Sequence, residues 1–253
     1  MALVTTPAVV LAAVRYGETS KVVRLATEEL GVQSAIAKGA LRPRSRFGAA
    51  LQLFSEGQAQ LHVKEGRELH VLAAFDVTRL ELGLAAHLER YAAASALAEV
   101  MLRFAPAAPH PDGYAVLRAG LLTLETVPAD WVESTAIRTL WRLVSVLGFA
   151  PSLDFCVRDG APLPSDAPIW FSAREGGALC DACAAGQAFT RLEAGHRHDL
   201  AALLDDGTEL PPLDRRHAAA HRRLLLRYIQ HHLSEGAHLP ALDFWVRRPW
   251  AER

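Results

Sequence analysis

The sequence predicts an α+β protein: a five-stranded β-barrel, then an α-helical domain interrupted by a compact cysteine-bearing insertion. Three observations carry this. Short β-type apolar runs fill about the first 75 residues, the apolar spacing changes to helical steps after Asp76, and all three cysteines fall within one proline- and glycine-rich stretch at 150–188. The chain of 253 residues is long enough to bury a sizeable core. No apolar stretch approaches the roughly 18 residues of a membrane-spanning helix. Ala8 to Val14 has the apolarity of a signal-peptide core, but no basic residue precedes it and Arg15 and Glu18 follow. We read it as the first strand, and the protein as cytoplasmic.

Five strands are expected: Ala8 to Val14, Lys21 to Ala26, Val32 to Ala37, Leu51 to Val63 with a bend near Gly57, and Glu68 to Ala74. Their number, length and basic connection after the third suit a small Greek-key barrel of the OB type, and an SH3-like barrel fits almost as well. Beyond Asp76, Leu84, Leu88, Tyr91, Ala98 and Leu102 share one helical face. A second helix starts after Pro109 and Pro111. A third starts near Pro128 and runs through Trp131, Ile137, Leu140, Trp141 and Val144 to a stop at Gly148, and these helices are expected to share a core. Helical spacing resumes over Phe189 to Leu204. A last helix from Asp214, its N-cap, to Leu233 turns Leu225, Ile229 and Leu233 inward, and the tail carrying Phe244, Trp245 and Trp250 packs back on the body.

The net charge of −1 conceals an uneven distribution. Residues 1–80 carry ten Lys or Arg against seven Asp or Glu, residues 154–209 four against ten, and residues 215–248 seven against two, so basic ends flank an acidic middle. No phosphate loop, dinucleotide fingerprint, nucleophile elbow or paired-histidine zinc-protease motif occurs. His217 and His221 have metal-ligand spacing on a helix, but Arg215, Arg216, Arg222 and Arg223 surround them, so we read all six as a solvated basic face.

Two basic elements suit polyanions. Lys38, Arg42, Arg44 and Arg46 fall within nine residues free of acids, with Gly39 and Pro43 keeping the backbone irregular. On a barrel connection they can follow a single strand's phosphates while exposed aromatics stack on bases, with a log–log salt slope of about −3 from this patch. A solvated loop is the bland alternative. The second element sets five arginines on the helix between Arg215 and Arg227, in adjacent rows one heptad apart. It accepts phosphate or an acidic peptide, or is an ordinary exposed face.

The cysteines read Cys156-Val-Arg-Asp159 and, twenty residues on, Cys180-Asp-Ala-Cys183. Two x-x steps across a Gly/Pro-rich loop are zinc-ribbon spacing, because each step sets two side chains around one tetrahedral ion. Aspartate stands at the fourth position, where His196 or His198 is an alternative ligand, and three isolated buried thiols are the metal-free reading. A metal here is structural. A zinc-dependent hydrolase and an RNA-binding barrel are the competing functional readings.

Taken in order, several segments resemble the bacterial RecO family of recombination mediators. They are Arg15-Tyr16-Gly17-Glu18-Thr19-Ser20, Thr27 with Gly31, Lys38-Gly39-Ala40 through Arg42-Pro43-Arg44-Ser45-Arg46-Phe47, and Leu51-Gln52-Leu53-Phe54. Leu147-Gly148-Phe149-Ala150-Pro151, Leu153-Asp154-Phe155-Cys156 and Gly176-Gly177-Ala178-Leu179 before Cys180 continue the match. The resemblance implies an OB domain at 1–78, a helical domain at 79–153 and 188–253, and a zinc-finger-like insertion at 154–187. It implies a nucleoid-associated protein, not an enzyme, that binds single- and double-stranded DNA, anneals complementary strands and, with RecR, helps RecA displace single-strand-binding protein in RecF-pathway repair. The DNA-binding candidates are then Arg15, Lys21, Lys38, Arg42, Arg44, Arg46, Arg215, Arg216, Arg222 and Arg223. The zinc candidates are Cys156, Asp159, Cys180 and Cys183, although family members that bind zinc commonly carry cysteine where Asp159 stands. Family members dock the acidic C-terminal tail of single-strand-binding protein on the helical domain, where Arg138 and Arg142, near Leu140 and Trp141, offer a basic and apolar pocket.

Overall fold

A computed structural model describes residues 2–64, 66–80, 82–233 and 238–250. Five strands, β1 (Ala2–Tyr16), β2 (Ser20–Thr27), β3 (Gly31–Ala37), β4 (Glu56–Val63) and β5 (Leu69–Arg79), close into a barrel in the order β1-β2-β3-β5-β4. Only the β3–β5 pair is parallel, which is the OB-type arrangement. β1 is twice the expected length because it serves two partners. Ala2 to Val9 pairs with β4, Ala8 to Tyr16 pairs with β2, and the register shift between Val10 and Ala12 bends the strand where its role changes. Alternation turns Val10, Val23, Leu25, Ala35, Leu61 and Leu72 inward.

The fourth expected strand begins five residues too early. Leu51 to Ser55 is turn structure, with Phe54 at φ 68° and both Leu51 and Phe54 buried, and only its end meets β1: Phe54 N–H donates to the Val10 carbonyl at 2.8 Å and Val10 N–H to the Ser55 carbonyl at 3.0 Å. The expected irregularity near Gly57 is present, as a register shift against β5 between Glu56 and Gly57. Gly57 lies within β4 opposite β5, where a Cβ would stand 2.5 Å from the Asp76 carbonyl oxygen.

Three helices complete the first compact unit, residues 1–126: α1 (Leu82–Ala86), α2 (Leu88–Phe104) and α3 (Pro111–Thr126). The expected apolar stripe is corrected here, since Leu88 is 52% exposed whereas Ala92, Ala93, Ala96, Leu97, Val100 and Met101 are buried. α2 packs against β1, β2, α1 and α3, so small alanines are needed on several sides for close approach. Arg118 pairs with Glu56 and Arg79 with Glu125, whose second oxygen accepts from Gly83 N–H at 2.9 Å. The segment before α3 is joined to β3 by a Val32 N–H bond to the Pro106 carbonyl at 3.0 Å.

The second unit, residues 127–253, is built on α4 (Val132–Val144), which follows a 3₁₀ turn at Ala129–Trp131. The third expected helix thus falls in the second unit. α4 ends in a π-type turn, Ser145–Phe149, with Gly148 at φ 94°. The insertion holds a small sheet ordered β7-β6-β8, made of β6 (Ile169–Ser172), β7 (Gly177–Leu179) and β8 (Thr190–Leu192), with a short helix α5 (Asp181–Ala184). Residues 190–192 are thus strand, and the helix expected from Phe189 starts later as α6 (Ala194–Leu204). α7 (Arg215–His232) begins at the expected cap: Asp214 accepts the N–H groups of Arg216 and His217, each at 2.8 Å. Leu225 and Ile229 are buried and Leu233 is half-buried. α8 (Pro240–Arg247) buries Trp245 while Phe244 stays 43% exposed against the Trp250 ring.

Gly31 combines φ 71° with space so tight that a Cβ would fall 2.1 Å from the Ala108 carbonyl oxygen, whereas Gly17, at φ 61°, has nothing within 4 Å. Gly31→Ala is expected to destabilise the protein by at least about 2 kcal/mol and Gly17→Ala by about 1 kcal/mol, the left-handed penalty alone. Denaturant midpoints of the two variants check this; equal losses would contradict it.

Candidate nucleic-acid interface and metal centre

The basic loop between β3 and β4 is shaped by its own apolar residues. Ala40, Phe47 and Leu51 are buried in the barrel core, so the chain must return to the barrel three times between positions 38 and 51. Successive turns carry it: Arg42 N–H to the Gly39 carbonyl, Ser45 N–H to Arg42 and Gly48 N–H to Ser45, at 3.0–3.2 Å. Leu41 N–H donates to the Thr19 carbonyl at 2.9 Å, tying the loop to the β1–β2 turn. Lys38, Arg42, Arg44 and Arg46 are left exposed, and among the described residues none of them enters an ion pair. The Arg46 guanidinium lies 5.1 Å from the Phe47 ring centroid. Arg15 and Lys21 face each other across β1 and β2 beside this loop. Both also have local work, since Arg15 donates to the carbonyls of Gly17 and Glu18 and Lys21 donates to that of Leu51 at 3.4 Å. Tyr16, 57% exposed, adds an aromatic face to the surface beside Arg15 that charge counting overlooks.

The arginine rows of α7 are not equivalent. Arg215, Arg216, Arg223 and Arg227 are exposed. Arg222 is corrected: its side chain is 11% exposed and paired with Glu133, which also holds Arg248 of the tail, so it closes the interior of the second unit. His221 is corrected as well, being buried rather than part of a solvated face. His196 packs against His217, ring centroids 4.4 Å apart, and lies 6.2 Å from the His221 ring. Burial, then the neighbouring His196 and His217, lowers the pKa of His221 to about 4.

Arg138 and Arg142 do not frame an open basic and apolar pocket. Arg138 donates to the carbonyls of Ala202 and Thr208 at 3.0 and 2.9 Å, Arg142 pairs with Asp206, and Leu140 and Trp141 are wholly buried. Both arginines fasten α4 to the end of α6 and the segment after it.

Cys156, Asp159, Cys180 and Cys183 converge, with one potential ligand atom from each lying within 4.8 Å of the others. Each pair comes from a tight knuckle. In the first, Cys156 N–H donates to Ala161 and Gly160 N–H returns to Cys156. In the second, Cys180 caps α5 and its sulfur accepts Cys183 N–H at 3.4 Å. Asp159 uses Oδ1 to accept Ala161 N–H at 3.0 Å and turns Oδ2 toward the sulfurs of Cys180 and Cys183, at 3.3 and 3.2 Å. Such a carboxylate presents one free oxygen, as a monodentate ligand does. His196, engaged with His217, is not the fourth member.

The electrostatics of this group can accommodate a cation. The Ala161 N–H, then the three thiols, hold the Asp159 carboxyl well below the usual carboxylate range. Asp159, then burial and the other two thiols, push Cys183 up to about 12. Burial alone would raise Cys156, but N–H groups of Cys180, Asp159 and Arg158 outweigh it and lower that thiol. Three sulfurs and a carboxylate this close cannot all be anionic without a positive ion between them, and a divalent metal would supply it. The four residues therefore fit a metal ion in a four-ligand, sulfur-rich site.

Two arginines missed by sequence reasoning hold the knuckles in place. Arg158 grips both oxygens of Glu175 at 2.6 and 2.7 Å, reaches the Cys183 carbonyl at 2.5 Å, and lies over the Phe189 ring. Arg197 of α6 is 3% exposed and donates to the carbonyls of Leu153, Leu163, Pro164 and Ala167, gathering the loop that carries the first knuckle. The position of Arg158 between two ligands was a signal for it. An arginine within an ordinary helical pattern gave none for Arg197.

Comparison with known proteins gives two family matches along the chain. Residues 1–80 match the family model described as recombination protein O N terminal, and residues 85–240 match recombination protein O C terminal. DNA repair protein RecO of Anaeromyxobacter sp. (strain K) is 36% identical over 242 residues, covering 93% of both chains. RecO of Symbiobacterium thermophilum is 33% identical over 207 residues, 81% of each chain, and that of a Nocardioides species 33% over 182 residues, 70% of this chain and 72% of the relative.

Arg158→Ala, which leaves all four ligands in place, is expected to weaken metal binding about 10- to 100-fold, as losses of orienting partners do. Competition with a chromophoric chelator measures it, and unchanged affinity would refute the bracing role. A second expectation concerns acid. The pKa of His221 is depressed in the fold, so its stabilising contribution is complete above about 6.5 and disappears as pH falls toward about 4, a loss of about 3 kcal/mol. Tm followed from pH 7 to 4 is expected to fall less steeply in His221→Leu than in the parent; parallel curves would count against it.

Proposed function

Because the chain belongs to the RecO family of DNA repair proteins, acting in DNA repair and recombination, we propose that it is a non-enzymatic mediator that binds single- and double-stranded DNA and anneals complementary strands. In this reading it acts with RecR to help RecA displace single-strand-binding protein. The observation that carries the DNA-binding part is the fixed loop on the barrel, where Lys38, Arg42, Arg44 and Arg46 are exposed and enter no ion pair among the described residues. A cationic array held in place before the ligand arrives loses little freedom on binding, and it contacts phosphates without reading bases.

Annealing follows from the same electrostatics. Two strands repel through their phosphates, and a protein with cations on the barrel and on α7 screens both while leaving the bases free to pair. The cationic set we assign to DNA is Arg15, Lys21, Lys38, Arg42, Arg44 and Arg46 on the barrel with Arg215, Arg216 and Arg223 on α7; Arg222 is excluded by its pairing with Glu133. Contact with RecR and with the acidic tail of single-strand-binding protein belongs to the reading, without Arg138 and Arg142, whose groups are engaged internally. Zinc is the metal we assign to the Cys156 group, in a structural role. The cytoplasm, where thiols remain reduced, is its expected compartment. No described helix is long and apolar enough to cross a membrane.

Lys38→Glu combined with Arg42→Glu is expected to weaken binding of single-stranded oligonucleotides at least tenfold, to make the salt slope shallower by about 1.4, and to slow annealing without ATP. Fluorescence anisotropy over a salt series and a strand-pairing assay measure both. If binding and pairing are unaltered, the barrel loop is not the DNA surface.

A further inference from the structure

The four groups that converge in the insertion differ in what an oxidant does to them. Three are sulfurs, which peroxides attack, and the fourth is a carboxylate, which they leave alone. Exposure divides the sulfurs again. Cys156 is 2% exposed, whereas Cys180 and Cys183 are only half-buried. The exposed Asp159 lies across the two open sulfurs, its Oδ2 at 3.3 and 3.2 Å, so an oxidant reaches them once that carboxylate swings aside.

Local structure pairs the same two sulfurs. Cys180 caps α5 and Cys183 follows one turn on, where residues three apart are neighbours at about 5–6 Å, within the span a disulfide closes with little backbone movement. Their sulfurs already lie within 4.8 Å of each other. Cys156 belongs to the other knuckle, where N–H groups of Cys180, Asp159 and Arg158 hold its sulfur. A bridge from Cys156 would join two separate loops, whereas one between Cys180 and Cys183 closes inside a single turn, the shorter and cheaper loop.

We propose that Cys180 and Cys183 form a peroxide-oxidised dithiol, and that closing their disulfide discharges the metal. The inference rests on the zinc assignment above and adds the condition under which the ion leaves. One of the two sulfurs attacks hydrogen peroxide and breaks its O–O bond; the departing hydroxide takes a proton to become water, and a sulfenic acid remains. The second sulfur attacks that sulfenic sulfur, forming the S–S bond and expelling the other oxygen as water. The two sulfurs have then lost two electrons and the peroxide has gained them. Cys156 and Asp159 are left, two ligands where a structural ion needs four. Arg158, on Glu175, Gln187 and the Cys183 carbonyl, and Arg197, on the carbonyls of the first knuckle's loop, bond no sulfur, so they hold the frame for reduction and reloading.

The full chain is loaded with zinc, freed of excess metal and treated with hydrogen peroxide beside a chromophoric chelator. The bound zinc is expected to be released in step with a fall in thiols titratable under denaturing conditions from three to one. Mass-spectrometric mapping after alkylation is expected to find Cys180 joined to Cys183 and Cys156 alkylated, and dithiothreitol with added zinc to restore all three thiols and the bound ion. A chain that takes up no zinc before the oxidant is added defeats the zinc assignment and the release with it. A loaded chain that keeps its metal after the bridge forms overturns the release and leaves the zinc assignment standing. So does one whose bridge includes Cys156 or joins two chains, or one that reaches sulfinic acid with no bridge; either overturns the pairing of Cys180 with Cys183.

Discussion

Burial of Ala40, Phe47 and Leu51 in the end of the barrel is the contact from which the cationic surface takes its form. The three side chains are worth several kcal/mol of apolar transfer together, enough to hold a loop of turns against its conformational entropy. Anchoring at those points leaves the intervening positions few directions to point, and Lys38, Arg42, Arg44 and Arg46 occupy them. The hydrophobic core thus organises a surface of the opposite polarity, and the loop is ordered without any bond among its cations. The β1–β2 turn joins this array through Leu41 and Thr19, which brings Arg15, Tyr16 and Lys21 into the same neighbourhood.

The barrel was the most legible part of the molecule. Strands buried on one face alternate, and the alternation over Lys21 to Ala26 and Val32 to Ala37 is visible in residue order. The insertion's sheet was not legible because strands of three or four residues carry no periodicity, and Thr190 to Leu192 runs almost directly into α6. Helical spacing misplaced the buried face of α2 for a related reason. A helix enclosed by barrel and helices has no single apolar stripe, and its alanines, weak signals alone, make the closest contacts.

Charged residues divide on partners that sequence order hides. Arg222 and Arg223 are neighbours, yet only Arg222 meets Glu133, 89 positions away. His221 looks like a member of the same basic face and proves to be interior, a distinction set by α6 packing on that side through His196. The metal group was legible from spacing, including the carboxylate at its fourth position. The arrangement that makes Asp159 a suitable donor, one oxygen held by Ala161 and the other turned to the thiols, is a property of the Gly160 turn that spacing does not express.

The seam between β3 and the residues before α3 bears on how the molecule comes apart. Gly31 admits the carbonyls of Pro106 and Ala108 at distances no side chain would allow, Val32 donates across the gap, and Gln33 bonds Ala107. A polypeptide cut near residue 80, at the edge of the strands, would therefore lose part of the barrel's own wall along with α2 and α3. The first 126 residues, rather than the barrel alone, therefore make up the compact unit to which the strands belong.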